Sequence, residues 1–251
     1  MSRTQGLLAG LVRFFTRRRR LIGTGAPTEV MTRQAPRRKP QERSQRADIP
    51  PRLAQVGVQR FDKAAIQAMP DFDGLPPTAI EVVRSLDAAA AACRELTEAA
   101  VVGFDTESKP TFNKGERSQG PHLVQLSTAT RAYLFPLQGG RMAEPLRALL
   151  ASPDVRKVGF DLRSDKQQLA DNYGLRCQGI EDLVPMFRKA GFRSTVGAVQ
   201  AVALLFGRYY RKSKSAKMSN WAAPALSESQ KRYAANDAYV ALRVYLALTA
   251  R

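Results

Sequence analysis

The sequence has 251 residues, of which 44% are hydrophobic, and a formal net charge of +18. This length and apolar content are enough for one folded domain with its own core, plus extensions. The charge is uneven, since residues 1–53 hold 13 Lys/Arg against 3 Asp/Glu. Such a basic chain favours a polyanionic partner, first nucleic acid and second an anionic membrane surface.

Histidine and cysteine are too scarce for several classes of site. The sequence contains one histidine, His122, and two cysteines, Cys93 and Cys177, in no CxxC pairing. Multi-histidine zinc sites are excluded, and neither a disulfide framework nor a zinc ribbon is indicated. The cysteines favour a reducing compartment, so we expect a cytoplasmic protein, with nucleoid association or organelle targeting as alternatives. Chemistry is expected from carboxylates, Tyr, Lys or Arg.

The first 60 residues are predicted to form a basic, largely disordered tail and linker. Residues 5–22 combine a short apolar run with four consecutive arginines. The apolar run is far below the roughly 20 residues that a membrane span needs, so no transmembrane segment is expected. The arginines indicate an anionic surface or organelle targeting, with a plain disordered tail as the third interpretation. Residues 23–59 have little to bury, which is typical of a linker.

The folded domain is expected to occupy residues 75–251. In chain order, the predicted elements are a strand within 77–86, a helix at 85–100, strands at 101–107, 122–128, 132–137 and 156–162, and helices at 164–174, 181–190, 195–206 and 226–248. Ser85 is placed to cap the first helix, and Gly174 to end the second. Strands that cluster early among helices predict an α/β domain with a mixed sheet covered by helices.

The predicted strand "VVGFDTE" at 101–107 ends with two carboxylates, Asp105 and Glu107. Side chains two residues apart on a strand point to the same face, so both acids project together. A strand this apolar is covered on both faces, so the acids are expected at its exposed end, where ligands bind. Two like charges side by side require compensation by arginine, lysine or a bound cation.

Two later segments supply further acids. Asp165 lies in the first turn of a predicted helix, where an acid also simply complements the helix dipole. In the last helix, Ser227 and Gln230 have the spacing of a capping box, and Tyr233 and Asp237 lie on one face. Asp237 sits between Asn236 and Ala238 in a segment rich in alanine and tyrosine, and the positions three and four residues away hold no Lys or Arg. An unpaired charge facing the core is costly, so this acid is expected to have a partner.

Acids from three segments, with almost no histidine, indicate hard oxygen ligands for Mg²⁺ or Mn²⁺. Two such ions about 4 Å apart support in-line attack at a phosphodiester, since one activates water and the other stabilises the leaving oxygen. Tyr233, one turn before Asp237, is placed to orient that water. The pattern therefore predicts phosphoryl hydrolysis with two metal ions.

Three segments, "FDTE", "VGFDLRSDKQQL" and "YAANDAY", resemble the exonuclease motifs of the DEDD superfamily in its tyrosine variant, in order and spacing. The sequence is similar to the exonuclease domain of Werner-syndrome-type helicases and, more distantly, to ribonuclease D, over about 170 residues. The resemblance implies an RNase H-like fold and a 3′→5′ exonuclease that uses two divalent ions. It places the metal ligands on Asp105, Glu107, Asp165 and Asp237, and adds Tyr233 as the fifth catalytic residue.

The segment "RYYRKSKSAKMSNW" at 208–221 interleaves cations with aromatic residues. Such a composition suits single-stranded nucleic acid, because phosphates are neutralised while bases stack. We expect Lys212, Lys214, Lys217 and Trp221 to contact nucleic acid. The alternative is a solvated loop with Trp221 packed in the core.

The expected activity is removal of nucleotides from a single-stranded 3′ end, with DNA favoured as the substrate. A ribonuclease D-like exoribonuclease is the first alternative, because discrimination depends on contacts to the 2′-hydroxyl that a sequence does not reveal. A non-catalytic nucleic-acid-binding module on the same fold is the second alternative.

Overall fold

A computed structural model describes residues 50–111 and 115–250, and in this part of the chain six strands form one sheet. The strands are β1 (Ile80–Val82), β2 (Val101–Glu107), β3 (Leu123–Ser127), β4 (Ala132–Pro136), β5 (Arg156–Gly159) and β6 (Ile180–Asp182). Their spatial order is β1-β4-β3-β2-β5-β6, in which β2–β3 and β3–β4 are antiparallel and the other pairs are parallel. The predicted mixed sheet is therefore confirmed, and β2 lies in its interior.

Helices precede, connect and follow the strands. They are α1 (Pro51–Val56), α2 (Lys63–Gln67), α3 (Leu86–Glu98), α4 (Glu144–Ala151), α5 (Arg163–Tyr173), α6 (Val184–Lys189), α7 (Ala198–Phe206), α8 (Lys214–Lys217) and α9 (Glu228–Thr249). Two predicted helix boundaries are confirmed. The Ser85 hydroxyl accepts a hydrogen bond from the Ala88 amide at 3.1 Å, and Gly174 follows α5 with a left-handed φ of 59°.

The prediction of a single helix over residues 181–190 is wrong, because this segment contains part of β6 and then α6. Strand β6 has only three residues, all half-buried, which pair in parallel with β5. So short a strand has no alternating pattern for a sequence to reveal. Helix α4 is absent from the predicted elements, although its three buried residues have the spacing of an apolar helix face, namely Leu146, Leu149 and Leu150.

The two faces of β2 belong to different cores. Val102 and Phe104 pack with buried residues of α3 and α4 on one face. Because side chains alternate along a strand, Asp105 and Glu107 point to the opposite face. Helix α9 covers that face, where its Ala234 packs against residues of β3 and β4. The sheet therefore presents the acidic pair to the last helix.

Helix α9 lies unusually close to the sheet at Gly103. A Cβ atom added to Gly103 would lie 1.9 Å from the backbone carbonyl oxygen of Ala238. That distance is far inside van der Waals contact, so only glycine allows the helix backbone to approach β2 here. This approach is two residues from Asp105 along the strand and one residue from Asp237 along the helix.

We expect Gly103→Ala to lower the free energy of unfolding by about 1–3 kcal/mol or more, because a rigid backbone carbonyl has to move aside. Urea denaturation followed by circular dichroism measures the change. The matched control is Gly197→Ala, since an added Cβ at Gly197 meets nothing within 4 Å and the residue has a φ of −92°. The control should cost less than about 1 kcal/mol. Equal losses in the two variants would contradict close packing at Gly103.

Residues 50–75 are packed onto the domain. Leu53 of α1 is 2% exposed, and the Arg52 guanidinium donates to the carbonyl oxygen of Leu205 at 3.1 Å. The backbone amide of Leu75 donates to Asn236 Oδ1 at 2.9 Å. Some residues before position 75 thus contact the rest of the domain, while the predicted limits, a linker that reaches residue 60 and a domain that begins at residue 75, stay a prediction. Residues 23–59 have a low average apolar content, and this average does not reveal that one leucine, Leu53, packs α1 against the domain.

Residues 1–49, with the arginine-rich segment, lie outside the described residues. The basic tail, its surface or targeting role and the cellular location stay predictions. Among residues 50–111 and 115–250, no helix combines the length and the apolarity required to cross a membrane.

Candidate active site

Three carboxylates meet beneath α9 at the end of β2. Asp105, Glu107 and Asp237 each offer one oxygen, and these oxygens all lie within 4.8 Å of one another. Strand alternation supplies the first two acids, and the close approach of α9 to β2 supplies the third. The structure thus brings together three of the four predicted metal ligands.

The start of α9 fixes the position of Tyr233 and Asp237. Ser227 and Gln230 form the predicted capping box, in which each side chain bonds the backbone amide of the other. Counting from this start, Tyr233 and Asp237 fall one turn apart on the buried face, where they are 7% and 5% exposed. The Tyr210 hydroxyl donates to Asp237 Oδ1 at 2.5 Å.

Tyr210 is a site residue that the sequence analysis missed as a partner of Asp237. It lies in the basic and aromatic segment before α8, and its side chain is buried. The only signal in the sequence is a tyrosine among cations, which does not distinguish a buried hydrogen-bond donor from a surface residue. The contact with Asp237 spans 27 residues and depends on how the loop folds back.

Asp165 lies close to this cluster but outside it. It is in the first turn of α5 and accepts a hydrogen bond from the Thr106 hydroxyl and another from the Ser164 hydroxyl at 3.4 Å. Thr106 points to the face of β2 opposite to Asp105 and Glu107. Asp165 nevertheless lies near Asp105, because its charge is, after burial, the largest cause of the raised pKa of Asp105. The predicted cage of four acids is therefore three clustered carboxylates with a fourth beside them.

Lys212, predicted to contact nucleic acid, forms an ion pair with Asp237 in the structure. Its Nζ atom lies 2.7 Å from Asp237 Oδ2 and 5.2 Å from the centre of the Tyr233 ring. Lys214 and Lys217, in α8, are exposed, and their contact with nucleic acid stays a prediction. The loop thus sends one of its three lysines into the site and keeps two at the surface.

Trp221 is packed in the core, as the alternative interpretation expects. It is 2% exposed, its ring centre lies 6.0 Å from that of Tyr233, and its Nε1 donates to the carbonyl oxygen of Lys217 at 3.3 Å. An indole that is this buried supports Tyr233 from behind. Its position argues against stacking on a nucleobase.

Burial and the neighbouring carboxylates raise the pKa of Asp105 and of Glu107. Burial is the largest cause for Glu107, whose pKa rises to about 8; Asp237 adds to the rise and Lys212 opposes it. Burial is also the first cause for Asp105, followed by Asp165, Asp237 and Glu107, and its pKa is well above the usual range. Burial and like charges both favour the neutral form of an acid. A bound cation would reverse this balance.

The donor set fits a hard divalent cation. All three clustered ligands are carboxylates, the ligand type that Mg²⁺ and Mn²⁺ prefer. Oxygens on opposite sides of one Mg²⁺ are about 4 Å apart, so the cluster is close to the right size. Asp237 Oδ2 is buried without a hydrogen bond of regular geometry among the described residues. The Lys212 ammonium lies 2.7 Å from this oxygen, so the position beside it already accommodates a positive charge.

We expect metal-free protein to lose stability as the pH rises from 4.5 to about 8, the pKa values of Glu107 in its ordinary and its folded environment. In this window the folded state keeps a proton on Glu107 that the unfolded state has released, and the state with more bound protons is favoured at lower pH. Urea midpoints measured in EDTA across this range test the slope. Glu107→Gln, which is neutral throughout, should show a smaller fall. An equal fall in wild type and variant would contradict the raised pKa.

The fold and the cluster together define a class, a hydrolase with an acidic metal-binding site. Residues 80–251 match the sequence profile of a family described as 3'-5' exonuclease, and the chain belongs to this family. Membership agrees with the geometry, because an all-carboxylate site at the end of a central strand suits phosphodiester hydrolysis with divalent metal. The predicted family is confirmed.

Individual relatives agree with this assignment. The chain is 29% identical over 152 residues to the mouse bifunctional 3'-5' exonuclease/ATP-dependent helicase WRN, which covers 60% of this chain and 11% of that protein. It is 33% identical over 139 residues to ribonuclease D of Gluconacetobacter diazotrophicus, with 54% and 35% covered. The solved Nibbler EXO domain of Aedes aegypti superposes with a TM-score of 0.58 at 25% identity and covers 69% of this chain and 88% of that one. This similarity confirms the RNase H-like exonuclease fold.

The chain spans less than two thirds of the length of the curated relatives it matches, only 11% and 35% of the two above. What those whole proteins do beyond the shared region therefore does not transfer to this chain.

Proposed function

We propose that this protein hydrolyses phosphodiester bonds from the 3′ end of single-stranded nucleic acid, with two divalent ions, Mg²⁺ or Mn²⁺. The observation that carries the proposal is the cluster of Asp105, Glu107 and Asp237 in a chain of the 3'-5' exonuclease family. The bound ions would lower the pKa of the attacking water and stabilise the leaving oxygen.

The chain's own residues divide the remaining work. Asp105, Glu107 and Asp237 would hold the ions, and Asp165, which accepts a hydrogen bond from the Thr106 hydroxyl at the strand end, would be the fourth ligand. Burial first, and then Asp237, raise the pKa of the Tyr233 hydroxyl, so this group stays protonated and can orient the attacking water by a hydrogen bond.

DNA is the favoured substrate, and RNA is the second candidate. DNA is the substrate that the sequence analysis favours, whereas similarity to a ribonuclease D supports RNA. Discrimination between the two rests on contacts to the 2′-hydroxyl. Matched DNA and RNA oligonucleotides, single-stranded and double-stranded, therefore have to be compared with each metal.

We expect the purified protein to shorten 5′-labelled single strands stepwise from the 3′ end in Mg²⁺ or Mn²⁺. Asp105→Ala should lower the rate by about a thousandfold or more, because a lost metal ligand removes several kcal/mol of transition-state stabilisation. Asp171→Asn is the matched control, since it neutralises an exposed acid on the helix that bears Asp165. Full-length strands after incubation of the wild type with both metals would leave the non-catalytic binding module as the better description.

We expect Tyr233→Phe to lower kcat by about tenfold to a hundredfold, because the water loses its orienting group. Binding of Mn²⁺ to the variant should stay within about twofold of wild type, since the three carboxylates are unchanged. Single-turnover cleavage and Mn²⁺ titration, made on the same preparation, separate the two effects. Equal losses of cleavage and of metal binding would show that Tyr233 only supports the structure of the site.

A further inference from the structure

The ammonium group of Lys212 lies at the acidic cluster. Its Nζ atom is 2.7 Å from Asp237 Oδ2, 5.2 Å from the centre of the Tyr233 ring and 5.9 Å from that of Tyr210. The Lys212 side chain is 33% exposed, while that of Asp237 is 3% exposed. The lysine thus reaches from a surface loop to a buried carboxylate.

Asp237 needs a cationic partner when no metal is bound, because its carboxylate is buried beside Asp105 and Glu107, whose oxygens lie within 4.8 Å. Within residues 50–111 and 115–250, Lys212 is the cation that forms an ion pair with a member of the cluster. The oxygen that it approaches, Asp237 Oδ2, is the one that has no regular hydrogen bond. The ammonium of Lys212 and a bound metal ion would therefore compete for the same oxygen, Asp237 Oδ2.

We propose that Lys212 fills the cation position of the metal-free site and that a divalent ion has to displace it. The inference rests on the proposed function, because it takes the cluster to be a metal site. Two cations at one carboxylate oxygen repel each other, and the flexible stem of lysine lets its ammonium move outward. Tyr210 can stay in place, because its hydroxyl bonds the other oxygen, Asp237 Oδ1.

Displacement also gives Lys212 a second partner. An ammonium that leaves Asp237 remains at the mouth of the site, since its backbone is anchored by Tyr210 two residues earlier and by the Ser213 cap of α8. The nearest anion that the proposed reaction brings there is the phosphate of the substrate strand. The same lysine thus neutralises the site before metal binds and the substrate afterwards.

Titration of Mn²⁺ into the 251-residue chain without nucleic acid, followed by the electron paramagnetic resonance signal of free Mn²⁺, tests the competition. Lys212→Gln should bind Mn²⁺ about tenfold more tightly than wild type, the size expected when a unit charge is removed near the ion. Lys214→Gln is the matched control, because it removes the same charge from an exposed position two residues away.

The outcomes separate the inference from the proposed function. Tighter binding in Lys212→Gln alone supports displacement, whereas equal affinities, or weaker binding in Lys212→Gln, overturn it while the metal site stands. Absence of Mn²⁺ binding in all three proteins overturns both the displacement and the proposed function.

A second measurement needs no substitution and therefore does not depend on how a variant folds. Reductive methylation of wild-type lysines, quantified by mass spectrometry, reports how freely each ammonium reacts. Lys212 should be modified several times faster with saturating Mn²⁺ than in EDTA, while the rate at Lys214 stays unchanged. Equal rates at Lys212 with and without Mn²⁺ would overturn the proposal.

Discussion

The site depends on the approach of the α9 backbone to β2 at Gly103. With no side chain at this position, the carbonyl of Ala238 lies directly over the strand. Asp237 is the neighbour of Ala238, and Asp105 is two residues beyond Gly103, so one backbone contact sets the separation of the two acids. Any side chain at residue 103 would widen the gap between helix and strand and with it the space for a metal ion.

The close packing of α9 on β2 brings carboxylates together, which is electrostatically unfavourable, and a few side chains compensate for it. Tyr210 donates to one oxygen of Asp237, and Lys212 pairs with the other. Trp221 packs behind Tyr233, and both side chains belong to the same core cluster. The segment between α7 and α9 therefore supplies the side chains that contact Asp237 and Tyr233. Polar partners and packing both come from residues close together in the sequence.

Local periodicity explains which parts of the site could be predicted from the sequence. Strand alternation is enough to pair Asp105 with Glu107, and the capping box sets the helical phase that buries Asp237. The position of Asp165 depends on which face of the sheet α5 packs against, and no periodic pattern records that choice. The contact of Lys212 with Asp237 runs through an irregular loop, where composition correctly indicated cations but not their direction.

The hydrogen bond from the Leu75 amide to Asn236 Oδ1 has a practical consequence for where this enzyme can be cut. The family match begins at residue 80, and a protein trimmed to that point would lose the partner of a side chain adjacent to Asp237. It would also uncover the side of Asn236 against which Gly74 fits without room for a Cβ. The packing around Asn236 therefore extends past the family boundary toward the N-terminus.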